Sequence, residues 1–264
     1  MNTFNRREAI KVMAMGTAAI TLPAMKPLAH GMTAKKHVIT LSFDDGFKKS
    51  SIRTAEIFEK HKLKACINVI ATGHLQNNDL PDNFHAWEKG DFVLWNELKS
   101  RGHEIMPHGY KHANKAEIPL VDAQDLVKKC LDYFTENLRG FRQELAVFNL
   151  PYNASTPELE EWLKGLNILA YRKGYEAMNP LPHKGQKTLT CNSFGPGSAE
   201  DELDNQVKRL LALPEGWLIF NLHGLDGEGW GPVRSDYLDR LLDRLLEIDT
   251  VSVIPAGMAL EEVQ

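Results

Sequence analysis

The sequence predicts an α/β fold, a single-domain barrel of seven or eight β/α units. Three observations carry this. Apolar runs alternate with stretches whose apolar residues recur at helical spacing, the pattern of parallel strands joined by right-handed crossovers. No Gly-x-Gly-x-x-Gly follows the first such run, which argues against a dinucleotide-binding sheet. The residues able to do chemistry fall just past predicted strand ends, where barrels keep their sites.

The first strand is the buried-looking run His37-Val38-Ile39-Thr40-Leu41-Ser42-Phe43. A helix follows over 48–61, with Ile52, Ala55, Ile57 and Phe58 at roughly helical spacing. Residues 65–71 form the second strand, and the polar stretch 73–90, with Pro81, is a loop. Asp91 is an N-cap for a helix that stops at Gly102. The third strand is 103–106. A long amphipathic helix over 120–138 puts Leu126, Val127, Cys130, Leu131 and Phe134 on one face. The fourth strand is 145–150, and Thr156-Pro157 opens the next helix as cap and first-turn pair. Strands follow at 168–171 and 188–193, and Ser198 caps a helix through Leu203, Val207 and Leu210. The seventh strand is 217–222, a helix spans 236–246, the eighth strand is 251–254, and 258–263 is the tail.

The chain has 264 residues, 43% hydrophobic and 25% charged, enough to bury a full barrel core. A net charge of -4 and the lack of a basic run exclude a nucleic-acid footprint. Three cysteines are too few for a disulfide scaffold, and Cys66 and Cys130 read as small buried apolar residues. Residues 1–33 read as an export signal of twin-arginine type, with Arg6-Arg7 ahead of an apolar run from Val12 to Met25. That run is short and rich in Ala, Gly and Thr. The expectation is a periplasmic or secreted protein without stable membrane insertion after cleavage, the alternative being an uncleaved anchor. Residues 34–264 are the barrel.

Asp44-Asp45-Gly46 ends the first strand. Adjacent carboxylates repel unless something positive separates them. A metal held by one, with the other free as a base, is one solution, and an Asp-Gly turn with solvated acids is the other. His108 and His112, four residues apart beyond the third strand, tip the balance. With Asp45 they make a two-histidine, one-carboxylate set that suits Zn²⁺, and also Co²⁺, Ni²⁺ or Fe²⁺.

Phe43-Asp44-Asp45-Gly46, the Gly102-His103-Glu104-Ile105 lead-in to His108 and His112, and the late Leu222-His223 together resemble the polysaccharide deacetylases. These are carbohydrate esterases with a distorted (β/α) barrel, and the similarity runs from about Lys36 to the C-terminus. The resemblance implies Asp44 as catalytic base, Asp45, His108 and His112 as metal ligands, and His223 as general acid. It also implies the backbone N–H of Tyr152 as an oxyanion donor. That chemistry suits an unreactive acetyl amide, which needs a polarised carbonyl, a base for the attacking water and an acid for the leaving amine.

Three motifs depart from the family pattern. Asn149-Leu150-Pro151-Tyr152 has asparagine where an arginine usually orients the base, and the fourth motif is not recognisable near Leu169-Ala170-Tyr171-Arg172. Arg172 is the candidate for the missing positive charge. Gly109 stands where Ser or Thr usually braces the second-motif loop. In the Gly-rich loop after His223, Asp226 and Glu228 could bind sugar hydroxyls or the nascent amine, and Trp230 could stack on a sugar. The alternative is a turn with solvated acids and Trp230 capping the barrel. His103 is expected to make structural hydrogen bonds. The expected activity is metal-dependent removal of N-acetyl or O-acetyl groups from an acetylated glycan or amino sugar. Its rivals are hydrolysis of other amide C–N bonds and carbohydrate binding without catalysis.

Overall fold

Strand β1, His37–Phe43, is the axis of the assembly, and all seven of its residues are buried. The computed structural model describes residues 35–75, 80, 86–176 and 178–264. The predicted export signal lies outside these residues. Strands β2 (Cys66–Val69), β3 (Glu104–Pro107), β4 (Val147–Asn149), β5 (Ala170–Gly174), β6 (Met178–Asn179), β7 (Thr188–Ser193), β8 (Gly216–Leu222) and β9 (Val251–Val253) follow in chain order. The main path is β3-β2-β1-β8-β7-β5-β4, and every pairing along it is parallel. The end strands β3 and β4 lie side by side, so the sheet nearly closes into a barrel. Side chains stitch the seam: Asn149 Nδ2 donates to the Pro107 carbonyl at 3.4 Å.

The predicted eighth strand exists as β9, but it is not a stave of the ring. It pairs with the first half of β1, His37↔Val251 to Ile39↔Val253, while β2 takes the second half of that edge at Ser42 and Phe43. Strand β6 was not legible. It is two residues long, antiparallel to β8, and is held by Asn179, which receives the Thr190 N–H at 2.9 Å.

The helices form where their caps and apolar stripes are strongest. Helix α1, Lys48–Lys60, buries Ser51, Thr54, Ala55 and Phe58, one face at helical spacing. Asp91 caps α2, Phe92–Ser100, its carboxylate receiving the Val93 and Leu94 N–H groups at 3.0 Å each. Helix α3 spans Leu120–Asn137. Thr156 caps α4, Pro157–Gly165, through the Leu159 N–H. Ser198 precedes α5, Ala199–Leu211, without a side-chain cap; Glu200, Asp201 and Glu202 face the positive helix end instead. Helix α6 is Ser235–Leu246 and α7 is Ala256–Glu261. Among the described residues no helix is long and apolar enough to cross a membrane.

Period-two alternation divides β1 between two environments. Ile39, Leu41 and Phe43 join the large apolar cluster with Ala55 and Phe58 of α1. Val38 packs with Val147, Leu189, Trp217 and Ile219, a cluster plugged by Ala256, Ala259 and Leu260 of α7. Thr40, Ser42 and Asp44 continue that second face toward the carboxyl end of the strand, and all are buried. Cys66, Cys130 and Cys191 are free thiols and buried, as the sequence implied for the first two.

Glu104 sits at the α7 end, accepting the Met258 N–H at 2.9 Å and facing the Cys66 thiol at 3.3 Å. Burial pushes its carboxyl up from 4.5 to about 7. The folded state therefore holds a proton that the unfolded chain has released. Stability is highest below the unfolded value and falls as pH rises through 7, by on the order of 3 kcal/mol. Glu104→Gln is expected to flatten that fall in denaturant titrations across this pH window. An unchanged slope would count against it.

Candidate active site and metal centre

The site lies at the carboxyl ends of β1, β3, β4, β5 and β8. Asp44 leaves β1 with its N–H bonded to the Leu222 carbonyl at 2.8 Å. Asp45 and Gly46 then turn the chain at φ 74° and 67°. Gly46 admits no side chain without crowding, because a Cβ there would lie 3.1 Å from both Trp95 and Val69. His112, Tyr152 and Asn153 also hold positive φ, at 53°, 57° and 54°. Non-glycine residues held this way cluster at functional sites, where the surrounding packing outweighs the strain.

His108 follows β3 and His112 closes the turn after it. Their Nε2 atoms lie 3.4 and 3.2 Å from Asp45 Oδ1. One ligand atom from each of the three residues lies within 4.8 Å of the others, and all three residues are buried. His108 Nδ1 is 3.0 Å from the Asn149 carbonyl. With a proton on Nδ1, the Nε2 lone pair faces Asp45, which is how metal-binding histidines are oriented. Asp45 Oδ1 is buried yet accepts no hydrogen bond. Burial pushes the Asp45 carboxyl up, but His112 and His108 outweigh it and hold it well below the carboxylate range. Burial lowers His112, against the pull of Asp45. A carboxylate oxygen and two imidazole nitrogens converging in a buried site fit a divalent cation.

Asp44 is held differently. Asn68 donates to its Oδ1 at 2.7 Å, Arg172 Nη1 donates to the same oxygen at 3.1 Å, and Arg172 Nη2 donates to Oδ2. Burial raises this carboxyl, but Arg172 and His108 bring it below its ordinary value. Arg172 is fully buried and also reaches Ser42 Oγ at 2.6 Å and Asn153 Oδ1 at 3.3 Å. In the sheet, Asn149 and Arg172 are register partners on β4 and β5. The cation that β4 lacks is thus supplied at the same level of the neighbouring strand. Asn149 stays in the network, donating to Asn68 Oδ1 at 2.8 Å.

Tyr152 sits in the 3₁₀ turn Pro151–Asn153, half exposed, its ring 4.6 Å from that of His112. His223 follows β8, and the Trp230 ring meets it edge-on at 5.2 Å. Burial lowers the His223 pKa, with Asp45 and Asp44 pulling the other way, so both carboxylates act on its charge. The loop after it differs from the sugar-binding expectation. Asp226 receives the Ser235 N–H at 2.9 Å and the Ser235 hydroxyl at 2.6 Å, at the start of α6. Glu228 is buried and receives the Ser50 N–H in the first turn of α1. Both carboxylates satisfy helix N-termini, where N–H groups lack intrahelical partners. Gly229, at φ 96°, lets the loop fold beneath His223; a Cβ would lie 2.4 Å from the His223 carbonyl oxygen. Trp230 remains about half exposed at the rim.

Sequence reasoning missed Ser42, Asn68, Asn153 and Lys89. Asn68 had a signal, a lone amide inside the apolar run of β2. Lys89 had none. Its ammonium lies 4.4 Å over the Phe47 ring, and burial pushes it down to about 8 against the fields of Asp45 and Glu228. His103 is structural as expected, receiving the Ala65 N–H at 3.0 Å and facing Glu59. A second cluster, His61 with Asp239 and Asp243, turns a different ring nitrogen to each acid, at 2.7 and 3.4 Å, while Lys60 holds Asp239. It joins α1 to α6 as an ion-pair clamp.

The family profile described as Polysaccharide deacetylase matches residues 31–171. The chain belongs to the polysaccharide deacetylase family. No curated protein matches it by sequence. Among solved structures it is similar to a family 4 acetyl xylan esterase from Clostridium thermocellum in complex with a cobalt ion. That match has 16% identity and a TM-score of 0.56, covering 86% of this chain and 93% of the other. It is similar to the peptidoglycan deacetylase PdaC of Bacillus subtilis at 14% identity and a TM-score of 0.53, covering 86% and 91%. A CE4-family pseudoenzyme of Bacillus anthracis matches at 13% identity and a TM-score of 0.56, covering 88% and 68%. At such identities these likenesses speak to the fold, the α/β barrel already described.

Proposed function

We propose that this protein is a metal-dependent hydrolase that removes N-acetyl or O-acetyl groups from a carbohydrate. The carrying observation is the buried Asp45–His108–His112 cluster beside a second carboxylate, Asp44, held ionised by Arg172. Asp45, His108 and His112 would hold a divalent ion, Zn²⁺ first and Co²⁺, Ni²⁺ or Fe²⁺ as alternatives, which would polarise an acetyl carbonyl and acidify water. Asp44, the base, accepts the proton of the attacking water. The backbone N–H of Tyr152 donates to the oxyanion. His223, protonated from solvent before the bond breaks, gives that proton to the leaving amine or alcohol, and the proton that Asp44 took from water is released to solvent as the site resets. Trp230 is an exposed ring at the rim on which a sugar can stack. Arg6-Arg7 and the apolar run behind them support export, so the glycan is met in the periplasm or outside the cell.

Acetate release from N-acetylated and O-acetylated glycans, by protein stripped and reloaded with each ion, tests this reading. Metal-dependent release supports it. No release from any glycan, with metal shown to be bound, overturns it and directs attention to linear and cyclic amides. His223→Ala is expected to lower kcat by about 10²–10⁴ with little change in KM, the usual worth of a positioned acid. An unchanged kcat would remove His223 from the mechanism.

A second reading is glycan binding without turnover, against which the intact set of Asp44, Asp45, His108, His112 and His223 stands. Binding needs neither base nor acid. Glycan affinity without acetate release, undiminished in Asp44→Asn, would select it.

A further inference from the structure

The loop that carries both histidines is anchored from two sides. From one side Ala71 donates to the Gly109 carbonyl at 3.0 Å, and Thr72 donates to the Tyr110 carbonyl through its N–H at 3.1 Å and its hydroxyl at 2.6 Å. These bonds secure the half of the loop nearest His108. The other half contains His112 in a left-handed conformation and ends at Ala113.

Lys115 lies beneath that half. It is 1% exposed, and its ammonium donates to the Ala113 carbonyl at 3.2 Å. Among the described residues the groups acting on its charge are the Cys130 thiol and Lys111, with no carboxylate among them. Burial pushes it down to about 8. A buried ammonium without a counter-charge is costly, and removing it would ordinarily stabilise a fold. Its position suggests what the cost secures. A Cβ on Gly109 would lie 3.7 Å from Lys115 Nζ, so the ammonium sits against the side-chain-free face of that glycine. No ordinary side chain fits there, because φ is 83° and the same Cβ would lie 2.8 Å from Pro151.

We infer that Lys115 is a positioning residue for the metal centre, its buried ammonium wedged between the Gly109 turn and the Ala113 carbonyl so that His108 and His112 converge on Asp45. The inference rests on the metal-site reading above. It assigns the lysine no contact with metal or substrate.

Lys115→Met keeps the length of the stem and removes the charge. Zn²⁺ affinity, measured by competition with a chelating dye, is expected to fall on the order of 10- to 100-fold, the usual effect of losing an outer-shell support. The thermal midpoint of the metal-free protein is expected to hold or rise. Lys115→Gln, which keeps one donor, is expected to lose less Zn²⁺ affinity than Lys115→Met. Unchanged Zn²⁺ affinity would overturn the inference. So would a metal-free midpoint that falls in step with affinity, or failure of both variants to fold, since each would mark a general core role. If the parent protein binds no Zn²⁺, the metal reading itself fails, an outcome distinct from parent and variant binding equally.

Discussion

Replacing Arg172 by methionine is expected to lower kcat/KM by about 10²–10⁴, the usual worth of a general base. It is also expected to destabilise the fold at neutral pH by roughly 3–5 kcal/mol, because a buried carboxylate loses its partner. The guanidinium forks onto both Asp44 oxygens in a fully buried site. With it present, the Asp44 carboxyl lies below its ordinary value of 3.8. The pair therefore contributes stability above that value and loses it as pH falls. Without Arg172, burial is opposed only by His108, His223 and the Asn68 donor, and the Asp44 carboxyl rises. The variant then becomes less stable as pH rises, and the gap to the parent protein widens toward neutrality. The acidic limb of the kcat/KM profile moves to higher pH for the same reason. Denaturant titrations at several pH values and one pH–rate series read both effects. Unchanged activity with an unchanged acidic limb would remove Arg172 from the support of the base.

Asp45→Asn is expected to abolish ordered metal binding and to lower acetate release at least about 10³-fold, since a bound ion supplies several kcal/mol of charge stabilisation. Asparagine is the apt replacement. It tolerates the left-handed backbone at φ 74° that alanine would resist, so the turn into α1 survives. It removes only the negative charge between His108 and His112. A bound metal is expected to raise the midpoint of the parent protein by mass action, and this shift is expected to vanish in the variant. A variant that keeps both the metal-induced shift and full activity would show that Asp45 is not a ligand.

Local chemistry was readable from the residues alone. Asp44-Asp45-Gly46 at a strand end and the His108–His112 spacing each occupy one short segment, so composition and order expose them. The Asp91 and Thr156 caps were readable for the same reason: a cap bonds backbone two or three residues away. Ser198 failed because its hydroxyl faces the Gly195 carbonyl instead of the helix. Arg172 was intermediate. The asparagine at 149 left a charge to be found, and the sequence offered an arginine at the next strand end. The register Asn149↔Arg172 brings it to the same level as that asparagine.

What the sequence by itself determined is therefore the order of strands and helices apart from β6, the family, and the residues at the strand ends. Periodicity and turn chemistry are short-range and give the elements and the strand ends, and the family rests on the motifs around Asp44, Asp45, His108, His112 and His223. Tertiary structure decided the rest: β9 lying outside the ring, the seam between β3 and β4, and Asn68 and Ser42 joining the network around Asp44. It also placed Asp226 and Glu228 on the N-termini of α6 and α1. Each of these depends on which groups, far apart in the chain, must satisfy one another once water is excluded. Only the closed packing of the barrel supplies that list of neighbours.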